Sequence, residues 1–132
     1  MSRVVLADTG PLYAALDPSD MHHQQAREQL QELARLQFDV LISYSTLLEA
    51  YSLVRRKLGQ AVALGWLSEM ADAALINPTP EDYRQAAAKV AMFADQSITL
   101  FDATVAVLAS RFGVRVWTYD HHFDVMRVPV WR

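Results

Sequence analysis

The chain has 132 residues and no cysteine; it is 52% hydrophobic and 20% charged, with a formal net charge of −3 and a pI near 5.7. This length predicts one folded domain over residues 1–132, and the lack of cysteine excludes disulfides, thiolate metal sites and cysteine nucleophiles. The acidic balance argues against a protein that coats nucleic acid, but it permits an enzyme in which a bound cation supplies positive charge. Because the chain shows neither a signal-peptide pattern nor an apolar run of about 18 residues, we expect a cytoplasmic protein with no membrane partner.

Short apolar runs alternate with helical patterns along the chain. Four buried strands are predicted at residues 4–7, 40–42, 74–76 and 114–118, with a candidate edge strand at 128–131. Helices are predicted after Asp8 and over residues 21–36, 46–57, 60–74, 79–93 and 99–112, with a loop or short helix over 119–125. This alternation indicates an α/β domain, a three-layer sandwich whose central, mostly parallel sheet is flanked by helices.

Three of the apolar stretches are each interrupted by one acid. Asp8 is the only charged residue in 4–16, Glu49 the only one in 40–54, and Asp102 the only one in 96–110. A buried carboxylate that stays ionised and unpaired costs several kcal/mol, so three such acids in one domain suggest a shared purpose. Asp8 follows the first strand, Glu49 is predicted in the first turn after the second, and Asp120 follows the fourth. Because ligands of parallel sheets bind at the carboxyl ends of strands, we expect these acids to lie together.

A divalent cation would explain the clustering. Mg²⁺ and Mn²⁺ prefer carboxylate oxygens and water, and they lower the pKa of a bound water and neutralise charge on a phosphodiester. The acids therefore predict a metal site that cuts phosphodiester bonds.

Each acid also has a structural explanation. Thr46 with Glu49, and Thr99 with Asp102, match the spacing of a helix capping box, and Asp8 could form a turn by bonding to its own backbone. These explanations weaken when taken together, since three caps need not share one edge of a sheet and a metal site must.

An ordered set of motifs covers nearly the whole chain and resembles the PIN domain, in particular the VapC-type toxins of prokaryotic toxin–antitoxin pairs. The motifs are Asp8-Thr9-Gly10-Pro11-Leu12, Leu48-Glu49-Ala50, Phe101-Asp102-Ala103-Thr104-Val105-Ala106 and Thr118-Tyr119-Asp120-His121-His122-Phe123. The resemblance implies a parallel sheet flanked by helices and a Mg²⁺- or Mn²⁺-dependent endoribonuclease.

By position in the motifs, the resemblance implies Asp8 and Asp102 as the main metal ligands, Glu49 as the acid that completes the cluster and positions water, and Asp120 as the fourth acid. Thr118 stands where the family often places a hydroxyl that supports this fourth acid. His122 stands where many relatives have a second acid, and Asp124 falls beyond the motif. The resemblance therefore leaves open whether the site holds one metal ion or two. His121 and His122 are further candidates for contact with a phosphate.

The resemblance also implies an RNA substrate, a cognate antitoxin and a homodimer, for which we expect the apolar helices of residues 46–74 to supply the face. The alternative is a PIN-like domain that binds RNA or protein without cutting. Two other classes fit poorly. A phosphoacceptor receiver domain needs a lysine at a late strand end, which neither Lys57 nor Lys89 supplies, and a phosphatase with an aspartate nucleophile needs an acid where Gly10 stands.

Overall fold

The computed structural model describes residues 3–132 and contains one parallel sheet. Its four strands lie in the order β3-β2-β1-β4, with the bounds β1 Val4–Ala7, β2 Asp39–Ser43, β3 Ala74–Ile76 and β4 Arg115–Trp117. Val5 of the central strand pairs with Val40 on one side and Arg115 on the other. Strands β2 and β3 are added in turn on one side of β1, and the chain then crosses over to place β4 on the other side of β1. The strand order therefore reverses between β1 and β4. Ligands of parallel sheets bind at such a reversal, outside the carboxyl ends of the strands.

Helices cover both faces of the sheet. They are α1 Thr9–Leu16, α2 His23–Arg35, α3 Tyr44–Leu58, α4 Gln60–Glu69, α5 Pro80–Met92, α6 Leu100–Phe112 and α7 His122–Val125. Successive strand residues point to opposite faces. Leu6 therefore packs in a core with residues of α5 and α6, and Val5 in a second core with residues of α1 to α4. The predicted three-layer α/β architecture is confirmed.

The predicted strands at 4–7 and 74–76 have the predicted bounds, whereas the edge strand at 128–131 does not form. A single parallel bridge joins Val116 to Val130, with hydrogen bonds from the Val116 N–H to the Pro129 carbonyl (3.0 Å) and from the Trp131 N–H to the Val116 carbonyl (2.8 Å). Pro129 has no N–H to donate, which limits regular strand pairing in this short segment.

Several helix bounds differ from the prediction, most of them by one or two residues, and two of the differences have a local cause. Helix α3 begins at Tyr44, because Ser43 caps it by accepting a hydrogen bond from the Ser45 N–H at 3.2 Å. The capping box considered as a structural explanation for Glu49 therefore does not form at Thr46, and Glu49 lies in the second turn of the helix rather than in the predicted first turn. Helix α4 ends at Glu69, where a 3-10 turn leads into β3, five residues before the predicted end.

The last long helix, α6, forms as its sequence predicts. Thr99 is its N-cap, and both bonds of the capping box with Asp102 are present. Every residue of 103–109 is buried, and the helix ends at Gly113, which has the left-handed φ of 65° that glycine accepts without strain. Helix α5 begins in the same way, with Thr79 as N-cap and Asp82 as the reciprocal partner. Across residues 3–132, no helix combines the length and the apolar character needed to cross a membrane.

Candidate active site

Four acids line one cavity at the carboxyl edge of the sheet. Asp8 directly follows β1, Glu49 projects from α3, Asp102 from the first turn of α6, and Asp120 from the loop after β4. All four line the same cavity, whose volume is about 370 Å³. The structure thus brings together four residues that lie far apart in the sequence, from Asp8 to Asp120.

Asp8 is the most buried of the four, with 7% of its surface exposed. Its carboxylate accepts a hydrogen bond from the Thr118 hydroxyl at 2.8 Å, and its backbone N–H bonds to the Trp117 carbonyl at 2.9 Å, which joins the ends of β1 and β4. The pKa of Asp8 is raised to about 7, mainly by burial and to a smaller extent by the charges of Asp102 and Glu49, against the opposing effect of the hydrogen bonds.

Glu49 is half-buried, and its Oε1 accepts a hydrogen bond from the Thr9 hydroxyl. Burial raises the pKa of Glu49, and the negative charge of Asp102 adds to this effect. The hydroxyl fixes one oxygen of Glu49 at the cavity wall.

Asp102 serves as a helix cap and faces the cavity at the same time. Its Oδ2 accepts the Thr99 backbone N–H at 3.0 Å, while its Oδ1 accepts no hydrogen bond from residues 3–132. Burial raises the pKa of Asp102, the charge of Asp120 raises it further, and His122 lowers it. The capping box and a role as metal ligand are therefore compatible, because each uses a different oxygen.

Asp120 is held by the loop that follows β4. The Thr118 hydroxyl accepts its backbone N–H at 3.0 Å, and its Oδ1 accepts the His122 backbone N–H at 2.9 Å. The Thr118 hydroxyl therefore contacts the Asp8 carboxylate and the backbone, but not the carboxylate, of Asp120.

The two histidines lie beside Asp120. The His122 Nδ1 is 3.1 Å from the Asp120 Oδ1, yet the angles do not form a hydrogen bond, so this buried nitrogen has no hydrogen-bond partner among the described residues. Metal-binding atoms of Asp120, His121 and His122 lie within 4.8 Å of one another, so this group could also contact a cation. Asp124, in contrast, pairs with Arg132 at 3.1 Å and lines a neighbouring cavity rather than the one that holds the acids.

The structure adds residues to the cavity that sequence patterns did not indicate. Asp20 and His22 come from the segment between α1 and α2, and Tyr13 and Lys57 from α1 and α3. The Lys57 ammonium lies 5.4 Å from the centre of the Tyr13 ring. Asp20 stands in a polar loop where an acid is ordinary, so the sequence carries no signal for it. Its position gives the cavity a fifth carboxylate.

The arrangement suits a hard divalent cation. The donors are carboxylate oxygens, the preferred ligands of Mg²⁺ and Mn²⁺, and one of them, the Asp102 Oδ1, has no hydrogen bond from the part of the chain that the structure describes. The pKa values of Asp8, Glu49 and Asp102 are all raised, which shows that these carboxylates are poorly stabilised without a positive charge between them. A cation at this position would relieve both burial and mutual repulsion.

The protein is thus a small parallel α/β domain with an acid-lined cavity at the carboxyl edge of its sheet. More specifically, residues 5–129 match the family model of the PIN domain, and the chain belongs to that family. Among curated proteins, none matches this chain in sequence.

Several solved structures share this fold over nearly the whole chain. The Mycobacterium tuberculosis toxin VapC20, described as cleaving the sarcin–ricin loop, is 18% identical with a TM-score of 0.86, covering 97% of this chain and 98% of its own. VapBC2 from Rickettsia felis, bound to a DNA fragment from its promoter, is 15% identical with a TM-score of 0.73 and coverage of 98% and 97%. FitAcB from Neisseria gonorrhoeae is 19% identical with a TM-score of 0.68 and coverage of 97% and 96%. At these identities the similarity establishes the fold.

Proposed function

We propose that this protein is a divalent-metal-dependent endoribonuclease and the toxin of a type II toxin–antitoxin pair. The observation that carries the proposal is the convergence of four acids on one cavity, three of them with raised pKa values. Membership of the PIN-domain family and the similarity of fold to VapC20 support it.

In this proposal Asp8 and Asp102 hold Mg²⁺ or Mn²⁺, and Glu49 and Asp120 complete the cluster. The bound cation would lower the pKa of a water and neutralise charge on the phosphate. The chain's own hydroxyls orient the acids: Thr118 fixes the Asp8 carboxylate and Thr9 fixes Glu49.

Glu49 is suited to accept a proton from the attacking water, since burial raises the pKa of its carboxylate and so makes it a stronger base. Water adds its oxygen to the phosphorus, and the bond from phosphorus to the 3′ oxygen breaks with transfer of a proton to that oxygen. By analogy with the family, the products carry a 5′-phosphate and a 3′-hydroxyl.

A non-cutting PIN-like domain that binds RNA or protein is the alternative. Such a domain gains nothing from keeping Asp8, Glu49 and Asp102 in a geometry in which their charges oppose ionisation. The nuclease explains this unfavourable arrangement, because the metal that it needs would stabilise the acids.

The proposal extends to a cognate antitoxin and a homodimer. The Rickettsia felis VapBC2 structure supports an antitoxin as partner. Large apolar side chains are exposed on the two helices expected to form a dimer face, with Leu48 of α3 64% exposed and Leu64 of α4 49% exposed.

Cleavage of RNA by three proteins tests the proposal. The parent, Asp102→Asn and the control Asp39→Asn are incubated with RNA in Mg²⁺, in Mn²⁺ and in EDTA. Asp102→Asn keeps an oxygen that can accept the Thr99 N–H, so the start of the helix is retained. Asp39 is a suitable control because it is exposed at the amino end of β2, at the opposite edge of the sheet. A hairpin of the sarcin–ricin loop belongs among the RNAs, because VapC20 is described as cleaving it.

We expect metal-dependent cleavage by the parent and by Asp39→Asn, and none by Asp102→Asn. Cleavage that persists in EDTA, or in Asp102→Asn at the parent rate, would contradict the proposed site. Binding of RNA without any cleavage by the parent would favour the non-cutting alternative.

A further inference from the structure

A second cavity, of about 380 Å³, opens beside the acid-lined cavity. Its walls come from the start of α2, the segment after β4 and the carboxyl terminus of the chain. His22, Tyr119 and Asp120 line both cavities, and the rings of His22 and Tyr119 stack with their centres 4.5 Å apart. The volume falls in the range of small-molecule sites, and its position next to the acids places it within reach of a nucleotide that adjoins the scissile phosphate.

Gln29 presents a fixed group of hydrogen-bond donors in this second cavity. The Trp117 indole N–H donates to its Oε1 at 2.8 Å, and the Tyr119 hydroxyl donates to the same oxygen at 2.5 Å. An indole N–H can only donate, so the atom that faces it must be the oxygen of the amide. Both acceptor positions of Oε1 are then occupied, and Nε2 offers two donors that no residue of 3–132 accepts.

A glutamine in this state can recognise only acceptors. Glutamine usually reads adenine with both halves of its amide, accepting from the amino group and donating to the ring nitrogen. Gln29 cannot do this, because its oxygen is committed to Trp117 and Tyr119. Guanine and uracil carry a carbonyl oxygen at the edge position where adenine and cytosine carry an amino group, so donors directed at that position fit guanine and uracil better. Arg132, which lines the same cavity, is also a pure donor.

The aromatic side chains of the cavity supply the other half of base recognition. RNA bases in single strands are commonly stacked on aromatic rings and read along their edges. The His22–Tyr119 stack forms a wall common to both cavities, and Trp131 lies in the lining of the second.

We propose that the second cavity, with Gln29 as its reading residue, binds a keto nucleobase, guanine or uracil, of the RNA strand next to the scissile phosphate. The proposal rests on the nuclease function proposed above. It names Gln29 as a specificity-determining residue that does not take part in the chemical step.

Gln29→Glu separates this role from a structural one. Glutamate keeps oxygens that accept from Trp117 and Tyr119, but it loses both amide donors. If Gln29 served only to satisfy those two buried donors, glutamate would serve equally well. Gln24→Glu is the matched control, because Gln24 is exposed on the same helix and its bond is to Glu28 rather than to the cavity.

Binding is measured first, by titrating each protein with GMP, UMP, AMP and CMP in EDTA and following the side-chain amide of Gln29 and the indole N–H of Trp117 by NMR. We expect GMP and UMP to bind the parent about three- to tenfold more tightly than AMP and CMP, and to shift the Gln29 amide signal. In Gln29→Glu the ratio between keto and amino nucleotides should fall toward one, while Gln24→Glu keeps it. A backbone amide spectrum of the free variant that is unchanged away from Gln29 shows that the fold is retained.

Cleavage of a randomised RNA pool then locates the reading position. Within one reaction of the parent, G or U should be enriched at one position beside the cut, and Gln29→Glu should lose that enrichment whatever its total rate. Equal binding of all four nucleotides by the parent, or an unchanged preference in Gln29→Glu, would overturn the inference. A parent that binds keto nucleotides selectively but cuts no RNA would instead overturn the proposed nuclease function.

Discussion

Replacing Asp8 by asparagine should stabilise the metal-free protein, and the gain should depend on pH. Burial raises the pKa of Asp8 from 3.8 to about 7. Between these two values the folded protein holds a proton that the unfolded chain has released, so the stability of the parent falls as the pH rises through this window. Above pH 7 the cost is fully present. The difference between 3.8 and about 7 corresponds to about 4 kcal/mol.

Asparagine carries no charge at any of these pH values, and its oxygen can still accept the Thr118 hydroxyl that Asp8 accepts at 2.8 Å. Urea unfolding in EDTA at pH 5 and pH 8 measures the effect. The parent should lose about 3 kcal/mol between the two pH values from this group, since about two of the pKa units lie in that interval. Asp8→Asn should lose none from it, and should be the more stable protein at pH 8.

Asp39→Asn serves as the control for the loss of one exposed carboxylate, and it should follow the parent. Mn²⁺ added at pH 8 should stabilise the parent more than Asp8→Asn, because a ligand stabilises the state that binds it. Parallel stability curves for the parent and Asp8→Asn between pH 5 and pH 8 would refute the reasoning, since they would mean that Asp8 ionises in the folded protein without cost.

Two further predictions, each with a matched control substitution, concern how the acids are held. Thr99→Ala removes the hydroxyl that accepts the Asp102 N–H at the start of α6, and the matched Thr79→Ala removes the equivalent hydroxyl at the start of α5, outside the acid-lined cavity. Each should lower the free energy of unfolding by about 1 kcal/mol, but only Thr99→Ala should weaken Mn²⁺ binding in calorimetry; equal metal affinity in the two would mean that the cap does not orient Asp102. Thr118→Val removes the hydroxyl that lowers the pKa of Asp8, so metal binding at neutral pH should weaken and recover at higher pH, whereas Thr118→Ser should behave as the parent. A pH profile of metal binding that is the same for valine and threonine would contradict this role.

The sheet and the location of the acids were readable from the sequence, because both depend on local patterns. Short apolar runs separated by helical periodicity identify a parallel sheet, and an acid directly after such a run must lie at its carboxyl end. Asp8 follows this logic directly, and Asp120 comes shortly after β4. The start of α6 also depends on a local pattern, because Thr99 and its capping partner Asp102 are three residues apart. The assignment of these residues as metal ligands stays a prediction.

Other features depend on contacts between distant parts of the chain, and no local pattern contains them. The start of α3 was misplaced because Ser43, at the end of β2, caps the helix before Thr46 is reached. The bond between Gln29 and Trp117 joins residues 88 positions apart, so the fixed orientation of the amide exists only in the folded protein. Asp20 likewise enters the acid-lined cavity through the path of a loop.

The central claim is that the four acids form a divalent-metal site. The most direct test is a crystal structure of the protein with Mn²⁺, in which anomalous scattering locates the ion. The account predicts an ion in the acid-lined cavity, with oxygens of Asp8 and Asp102 among its ligands and Glu49 and Asp120 beside it. An ion bound only by Asp120, His121 and His122, or a cavity that stays free of metal at a saturating Mn²⁺ concentration, would contradict it.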